Sequence, residues 1–203
     1  MLHDKDIREP LFDFLEEWLG KIRIIEEKQI SKSRADVMVI TENSFIGIEI
    51  KSDADTYVRL EKQVKFYDQY FDYNMVVVGS SHGHHITEHV PEHWGIITVE
   101  EVDGKLDFYI MREMGFRSKY LAAKYKRQVG LLWRMELAKL QENNNLPAYK
   151  QKSKAFVRDK LLEKIPYEEL KPQMCEQLFE RDYSTVSEKI AEYKKENDNK
   201  KII

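Results

Sequence analysis

Two apolar runs, ADVMVI (35–40) and FIGIEIK (45–51), are separated only by the turn-like residues TENS (41–44). Rich in β-branched residues and bounded by turn formers, each reads as a strand. A connection this short can join them only as an antiparallel hairpin. With Glu42 and Asn43 as a two-residue loop, Thr41 faces Ser44, Met38 faces Gly47 and Asp36 faces Glu49. Side chains alternate along a strand with period two, so Lys51 joins the face of Glu49. Directly opposed residues have Cβ atoms about 4.5–5.5 Å apart, and opposed like charges destabilise a pair. Two carboxylates facing each other within apolar strands break a local rule, which is where function is expected. A divalent cation between them removes the conflict. Hard cations held by a few carboxylates point to Mg²⁺, with Mn²⁺ as a substitute. Such an ion activates water and polarises a phosphodiester, while an ammonium beside it offsets developing charge. The competing reading is structural: Asp36 starts a strand and Glu49 pairs with Lys51 at the surface.

Around this hairpin the chain alternates helical and extended patterns. Ile7, Leu11, Phe14, Leu15, Trp18 and Leu19 recur at helical spacing and Gly20 follows as a stop, predicting a helix over 6–19. Ile22–Ile25 reads as a short strand ending at Glu26 and Glu27, followed by a polar connection KQISKS. Residues 55–71 return to helical period. YNMVVVG is a short apolar run of the kind buried in a parallel pair, which requires a crossover. GIITVEEV and KLDFYIMRE read as strands around the turn Asp103-Gly104. From about residue 118 only helical patterns occur: 120–140, 153–165 and 167–179, then a charged final stretch after Tyr183. The expected organisation is an α/β core over 1–116 and an all-helical extension over 117–203.

The helix after the hairpin carries Gln63 and Tyr67 as Q-x-x-x-Y, four residues apart and hence on one face. With RADV, EIKSDADT, RLEKQVKFY and VVVG, this pattern resembles the PD-(D/E)XK nuclease superfamily over about residues 20–100. It is similar to RecB-like members and to small stand-alone bacterial and prophage proteins, including repair nucleases of the MmcB kind. The resemblance implies a restriction-endonuclease-like fold, a mixed central sheet flanked by helices. It further implies metal ligation by Asp36 and Glu49, catalysis by Lys51, and support or nucleic-acid contact from Gln63 and Tyr67. The proline that names the motif is absent, since Ala35 precedes Asp36. An earlier glutamate often completes such sites; Glu16, Glu17, Glu26 and Glu27 compete, and Glu27 is favoured because strand ends converge on the site.

The net charge of -3 hides an uneven distribution, because residues 117–160 alone carry 12 basic and 3 acidic side chains. A basic block beside an acidic body suits a protein that gathers cations at one place and holds a polyanion at another. Lys150, Lys152, Lys154 and Arg158 are the candidate phosphate contacts there, with Arg34 and Arg59 near the triad; a merely solvated Lys-rich helix face is the alternative. ELAKLQENNNLPAYKQKSKAFVRDKLLEKI (136–165) also resembles the helix-loop-helix of SAP DNA-binding modules, without the glycine expected before Lys152. His82, His84, His85, His89 and His93 are dense, but Pro91 between the last two breaks the helix face that i, i+4 ligands need. The single cysteine, Cys175, lacks companions at zinc spacing. No run of about 18 apolar residues and no basic-then-apolar leader is present, so no membrane association is expected and a cytoplasmic location is.

The resulting expectation is a divalent-metal-dependent nuclease acting on nucleic acid, most naturally DNA, in repair, mobile-element biology or defence. The alternative is a module that binds nucleic acid or protein and keeps the fold without turnover.

Overall fold

The structure is a computed structural model that describes residues 2–53, 55–79, 83, 85–116 and 121–182. The order of elements is α1 (Asp4–Leu19), β1 (Arg23–Ile30), β2 (Ser33–Ile40), β3 (Phe45–Lys51), a 3₁₀ turn (Tyr57–Arg59), α2 (Leu60–Tyr70), β4 (Tyr73–Gly79), α3 (Ile86–His89), β5 (Gly95–Val102) and β6 (Lys105–Arg112), followed by α4 (Leu121–Gly130), α5 (Arg134–Asn143), α6 (Lys154–Lys164) and α7 (Tyr167–Phe179). The strands form one mixed six-stranded sheet in sequence order. β1, β2 and β3 are antiparallel, β3, β4 and β5 parallel, and β6 returns antiparallel to β5. The two parallel steps each carry a helix, α2 and α3, as parallel pairing demands.

Both faces of the sheet are covered. The face carrying Val37, Val39, Ile46, Ile48 and Val77 packs on Ile7, Leu11 and Leu15 of α1. The opposite face, with Met38, Ile40, Phe45, Val76 and Val78, packs on α2 and on Leu137, Leu161 and Met174 of the C-terminal helices. β3 is therefore buried along its whole length, with Glu49 and Lys51 as its two charged residues. The α/β sheet with its helical extension is the expected class. One hydrophobic core runs across residue 116, where composition and secondary structure change.

A buried polar knot ties extension to sheet. Lys171 of α7 donates to Asp72 Oδ2 (2.6 Å) and to Gln128 Oε1 (3.1 Å), and lies 3.5 Å from the Phe45 ring centroid. Gln128 in turn donates to Asp72 Oδ1 (2.9 Å) and to the Tyr70 carbonyl (2.7 Å). Every charge in the knot is paired and hydrogen-bonded, which is what burial of a charge requires.

Three sequence expectations change. The polar connection KQISKS is largely strand: β1 runs to Ile30, the turn is only Ser31-Lys32, and β2 starts at Ser33. Glu26 and Glu27 thus sit within β1 and not at its end. The single helix expected over 120–140 is two, broken at Leu131–Trp133, where the Glu136 side chain accepts from the Trp133 N–H (2.5 Å) and restarts the helix. Leu131 and Leu132 are buried at the break. His82, His84 and the charged stretch after Tyr183 lie outside the described residues. No helix among the described residues is long and apolar enough to cross a membrane.

Candidate active site

The β2–β3 register pairs Met38 with Gly47 and Val37 with Ile48, which carries Asp36 opposite Glu49. Beyond Val37 the ladder ends, and the carboxylate of Asp36 accepts the Ile50 N–H through Oδ2 (2.9 Å). On its other side the β1–β2 ladder lapses at Glu27 and Asp36 between the pairs Glu26–Val37 and Lys28–Ala35. Glu27 takes a left-handed backbone there, φ 53°, a conformation uncommon for a non-glycine residue and found at functional sites. The lapse frees the Asp36 backbone for other partners. Its N–H donates to the Tyr67 hydroxyl (3.1 Å) and its carbonyl accepts from Arg8 (3.3 Å).

Glu49 is held by three donors. Lys51 Nζ donates to Oε1 (2.7 Å), Gln63 Nε2 donates to the same oxygen, and Tyr67 donates to Oε2 (2.7 Å). Lys51 also donates to Gln63 Oε1 (3.2 Å). The Q-x-x-x-Y pair thus faces the hairpin from α2, as its spacing predicts. Gly47 permits this approach, since a Cβ there would overlap the rings of Phe71 and Tyr67.

Asp36, Glu49, Lys51, Gln63, Glu27, Arg34 and Arg59 line one open cleft of about 500 Å³. Burial, and after it the Glu49 charge, pushes the Asp36 carboxyl up to about 7. Burial also raises the Tyr67 hydroxyl well above the ordinary range, which keeps it a hydrogen-bond donor to Glu49. The donor set is hard: two carboxylates on adjoining strands, one of which resists ionisation without a counter-cation. That chemistry fits Mg²⁺ or Mn²⁺, with Asp36 and Glu49 as the residues that would hold it.

Glu27 sits differently from the expectation of a third ligand. Its Oε1 accepts from Arg8 (2.7 Å) and its Oε2 pairs with Arg34. Among the described residues no three acidic, histidine or cysteine side chains converge on a point that could hold a metal ion. Of the rival glutamates on α1, Glu17 lines a separate groove with Trp18 and Phe108 at the other end of the helix. The end of α1 that does reach the cleft supplies Asp4 and Arg8, which sequence reading missed. Arg8 bonds Asp4 (2.8 Å), Glu26 (3.1 Å) and Glu27, so it links α1 to β1. The i, i+4 spacing of Asp4 and Arg8 was the available signal; its closeness to the hairpin was not. Arg59 is exposed, and Asp55 closes the turn after β3 by accepting from the Ser52 N–H (2.9 Å) and hydroxyl (2.7 Å).

The basic block is elsewhere. Lys150, Lys152 and Lys154 do not line this cleft; Lys154 donates to the Gly130 carbonyl (2.8 Å) and Lys152 lies over the Phe156 ring (5.5 Å). Arg158 lines a second groove, bounded by α4 and the β1–β2 turn.

A family model described as bacteriophage P4 protein cII matches residues 2–202. No curated protein matches the chain. Among solved structures, Pyrococcus furiosus SfsA in complex with Ca²⁺ is similar at 18% identity and a TM-score of 0.35, over 56% of this chain and 63% of that one. The chain thus spans less than two thirds of that protein's length.

Proposed function

The chain belongs to the bacteriophage P4 protein cII family, and for this member we propose a divalent-metal-dependent nuclease of PD-(D/E)XK type that hydrolyses phosphodiester bonds, with DNA as substrate. The observation that carries the reading is the convergence of Asp36, Glu49 and Lys51 from two adjoining strands at one cleft, with Gln63 and Tyr67 of α2 holding Glu49 in place. When bound, Mg²⁺ would supply Lewis-acid polarisation of the scissile phosphate and lower the pKa of a water. Asp36 and Glu49 would hold the ion; the Ile50 N–H and the Tyr67 hydroxyl fix the two carboxylates so that little reorganisation would be needed. Lys51, already at 2.7 Å from Glu49, provides the fixed positive charge beside the phosphate as negative charge builds in the transition state. Arg34, Arg59 and Lys62 around the rim supply cations for flanking phosphates. DNA as the substrate rests on the resemblance of the strand and helix motifs to RecB-like enzymes.

The test is a cleavage screen on labelled single- and double-stranded DNA and RNA with Mg²⁺, Mn²⁺ or EDTA. Metal-dependent cleavage of DNA, lost in EDTA and in Asp36→Asn, is expected. Nucleic-acid binding without cleavage under either metal would replace this reading with the non-catalytic module.

A further inference from the structure

A second groove of about 500 Å³ lies beyond the β1–β2 turn, lined by Gln29, Ser31, Tyr70, Lys126, Arg127 and Arg158 among others. It is contiguous with the candidate active site at two points. Ser31 lines the groove while its neighbour Lys32 lines the active-site cleft. On α2, Gln63 and Phe66 line the cleft and Tyr70, one turn beyond Phe66, lines the groove. At a rise of 1.5 Å per residue, Gln63 and Tyr70 are about 10 Å apart along the helix, the scale of one or two nucleotides of an extended strand.

The lining carries three cations and no acid among the described residues. Asp159 stands at the edge, paired with Lys126 (3.2 Å) and Arg158 (2.9 Å). Those pairs hold two cations at the groove while leaving it positive overall. Arg127 has no ion pair among the described residues and is half-buried. Cations along a groove with an aromatic side chain are the pattern by which single strands are held. The volume is that of a small-ligand pocket, room for one or two nucleotides.

Building on the nuclease reading, we propose that this groove is a subsite for the backbone of a single DNA strand that continues from the active-site cleft over the β1–β2 turn, with Arg127, Arg158 and Lys126 contacting phosphates and Tyr70 a base or sugar. The substrate class is then DNA with a single-stranded segment beside the cleaved bond, not a continuous blunt duplex. Of the basic residues singled out in the sequence block, Arg158 belongs to this subsite, and Lys126 and Arg127 join it.

The test is fluorescence anisotropy in EDTA with a 5′-labelled 12-nucleotide single strand and a blunt duplex of the same sequence. The protein is the full chain as wild type, Arg127→Gln/Arg158→Gln, and Lys126→Gln. Losing two contacts should flatten the single-strand salt slope by about 1.4, and losing one by about 0.7. Taking 1 M salt as the reference, the double variant loses about 25-fold in affinity at 0.1 M. Duplex affinity should hold within twofold, and thermal melts should stay close to wild type because Lys126 is exposed and Gln keeps much of the stem of the partly buried Arg127 and Arg158. Unchanged single-strand binding in both variants overturns the subsite, as does an equal loss on the duplex. A wild type that binds the single strand through this groove but cuts nothing sinks the nuclease reading alone. A wild type that cuts DNA while both variants bind as it does sinks the subsite alone.

Discussion

Replacing Asp36 by Asn should stabilise the metal-free protein at alkaline pH and leave it unchanged in acid. Asn keeps an oxygen to accept the Ile50 N–H that Asp36 Oδ2 accepts at 2.9 Å, and it removes the charge opposed to Glu49. The magnitude comes from the interval between the ordinary Asp value of 3.8 and the folded value of about 7, set by burial and then by Glu49. Well below pH 3.8 the carboxyl is protonated folded or unfolded. Between pH 4 and 7 the folded state keeps the proton that the unfolded chain has released, so stability falls as pH rises, and above 7 the loss is complete. At about 1.4 kcal/mol per unit of pH the interval corresponds to roughly 4 kcal/mol, and solvent access through the open cleft brings the expected loss to about 2–3 kcal/mol. Urea melts in EDTA at pH 4.5 and 8.5, on wild type and Asp36→Asn, read it directly. The two proteins should lie within about 1 kcal/mol at pH 4.5, where the unfolded carboxyl has begun to ionise, and be separated by about 2–3 kcal/mol at pH 8.5, with the variant the more stable. Adding Mg²⁺ at pH 8.5 should raise wild type, through binding to the folded state, and raise the variant less. A difference between the two that is the same at both pH values, or a wild type favoured at pH 8.5 without metal, refutes the electrostatic conflict on which the site is built.

Lys51→Met keeps much of the stem and deletes the ammonium, so calorimetry should find Mg²⁺ affinity within a few-fold of wild type while cleavage falls by roughly 10²–10³, the scale of losing one transition-state charge partner. Tyr67→Phe strips Glu49 Oε2 and the Asp36 N–H of their shared partner and should cost about 1–3 kcal/mol in denaturant melts; full retention of stability would show that water replaces the hydroxyl. Gly47→Ala drives a methyl into Phe71 and Tyr67, and should destabilise by about 1–3 kcal/mol while displacing α2 and reducing activity more than Mg²⁺ affinity. Lys171→Met leaves Asp72 charged and buried; a loss of about 3–5 kcal/mol is expected, and a melt within 1 kcal/mol of wild type would mean that the helical extension does not depend on this pair.

Much of the site was legible because it rests on short-range rules. The four residues TENS define the β2–β3 register, period two aligns Glu49 with Lys51, and four-residue spacing puts Gln63 and Tyr67 on one helix face. The failures occurred where burial outweighed local preference. KQISKS is polar enough to read as a loop, yet Ile30 is fully buried and pulls its neighbours into β1. The 120–140 stretch has continuous helical periodicity, yet Leu131 and Leu132 are buried at a break between two helices. Asp4 and Arg8 carry a pattern common to any solvated helix; only the packing of Ile7, Leu11 and Leu15 on the sheet turns that end of α1 toward the cleft.

The sequence by itself determined which residues alternate, oppose and repeat, and therefore the α/β class, the hairpin and the opposed carboxylates on it, because these follow from backbone periods that hold wherever a strand or helix forms. Tertiary structure alone decided what surrounds them. It paired Glu27 with Arg8 and Arg34, moved Lys150, Lys152 and Lys154 away from the cleft, and set Lys126, Arg127 and Arg158 around a groove next to it. Those contacts join segments as far apart as Gln29 and Arg158, and their distances depend on how two covered sheet faces pack, a quantity that no local spacing encodes.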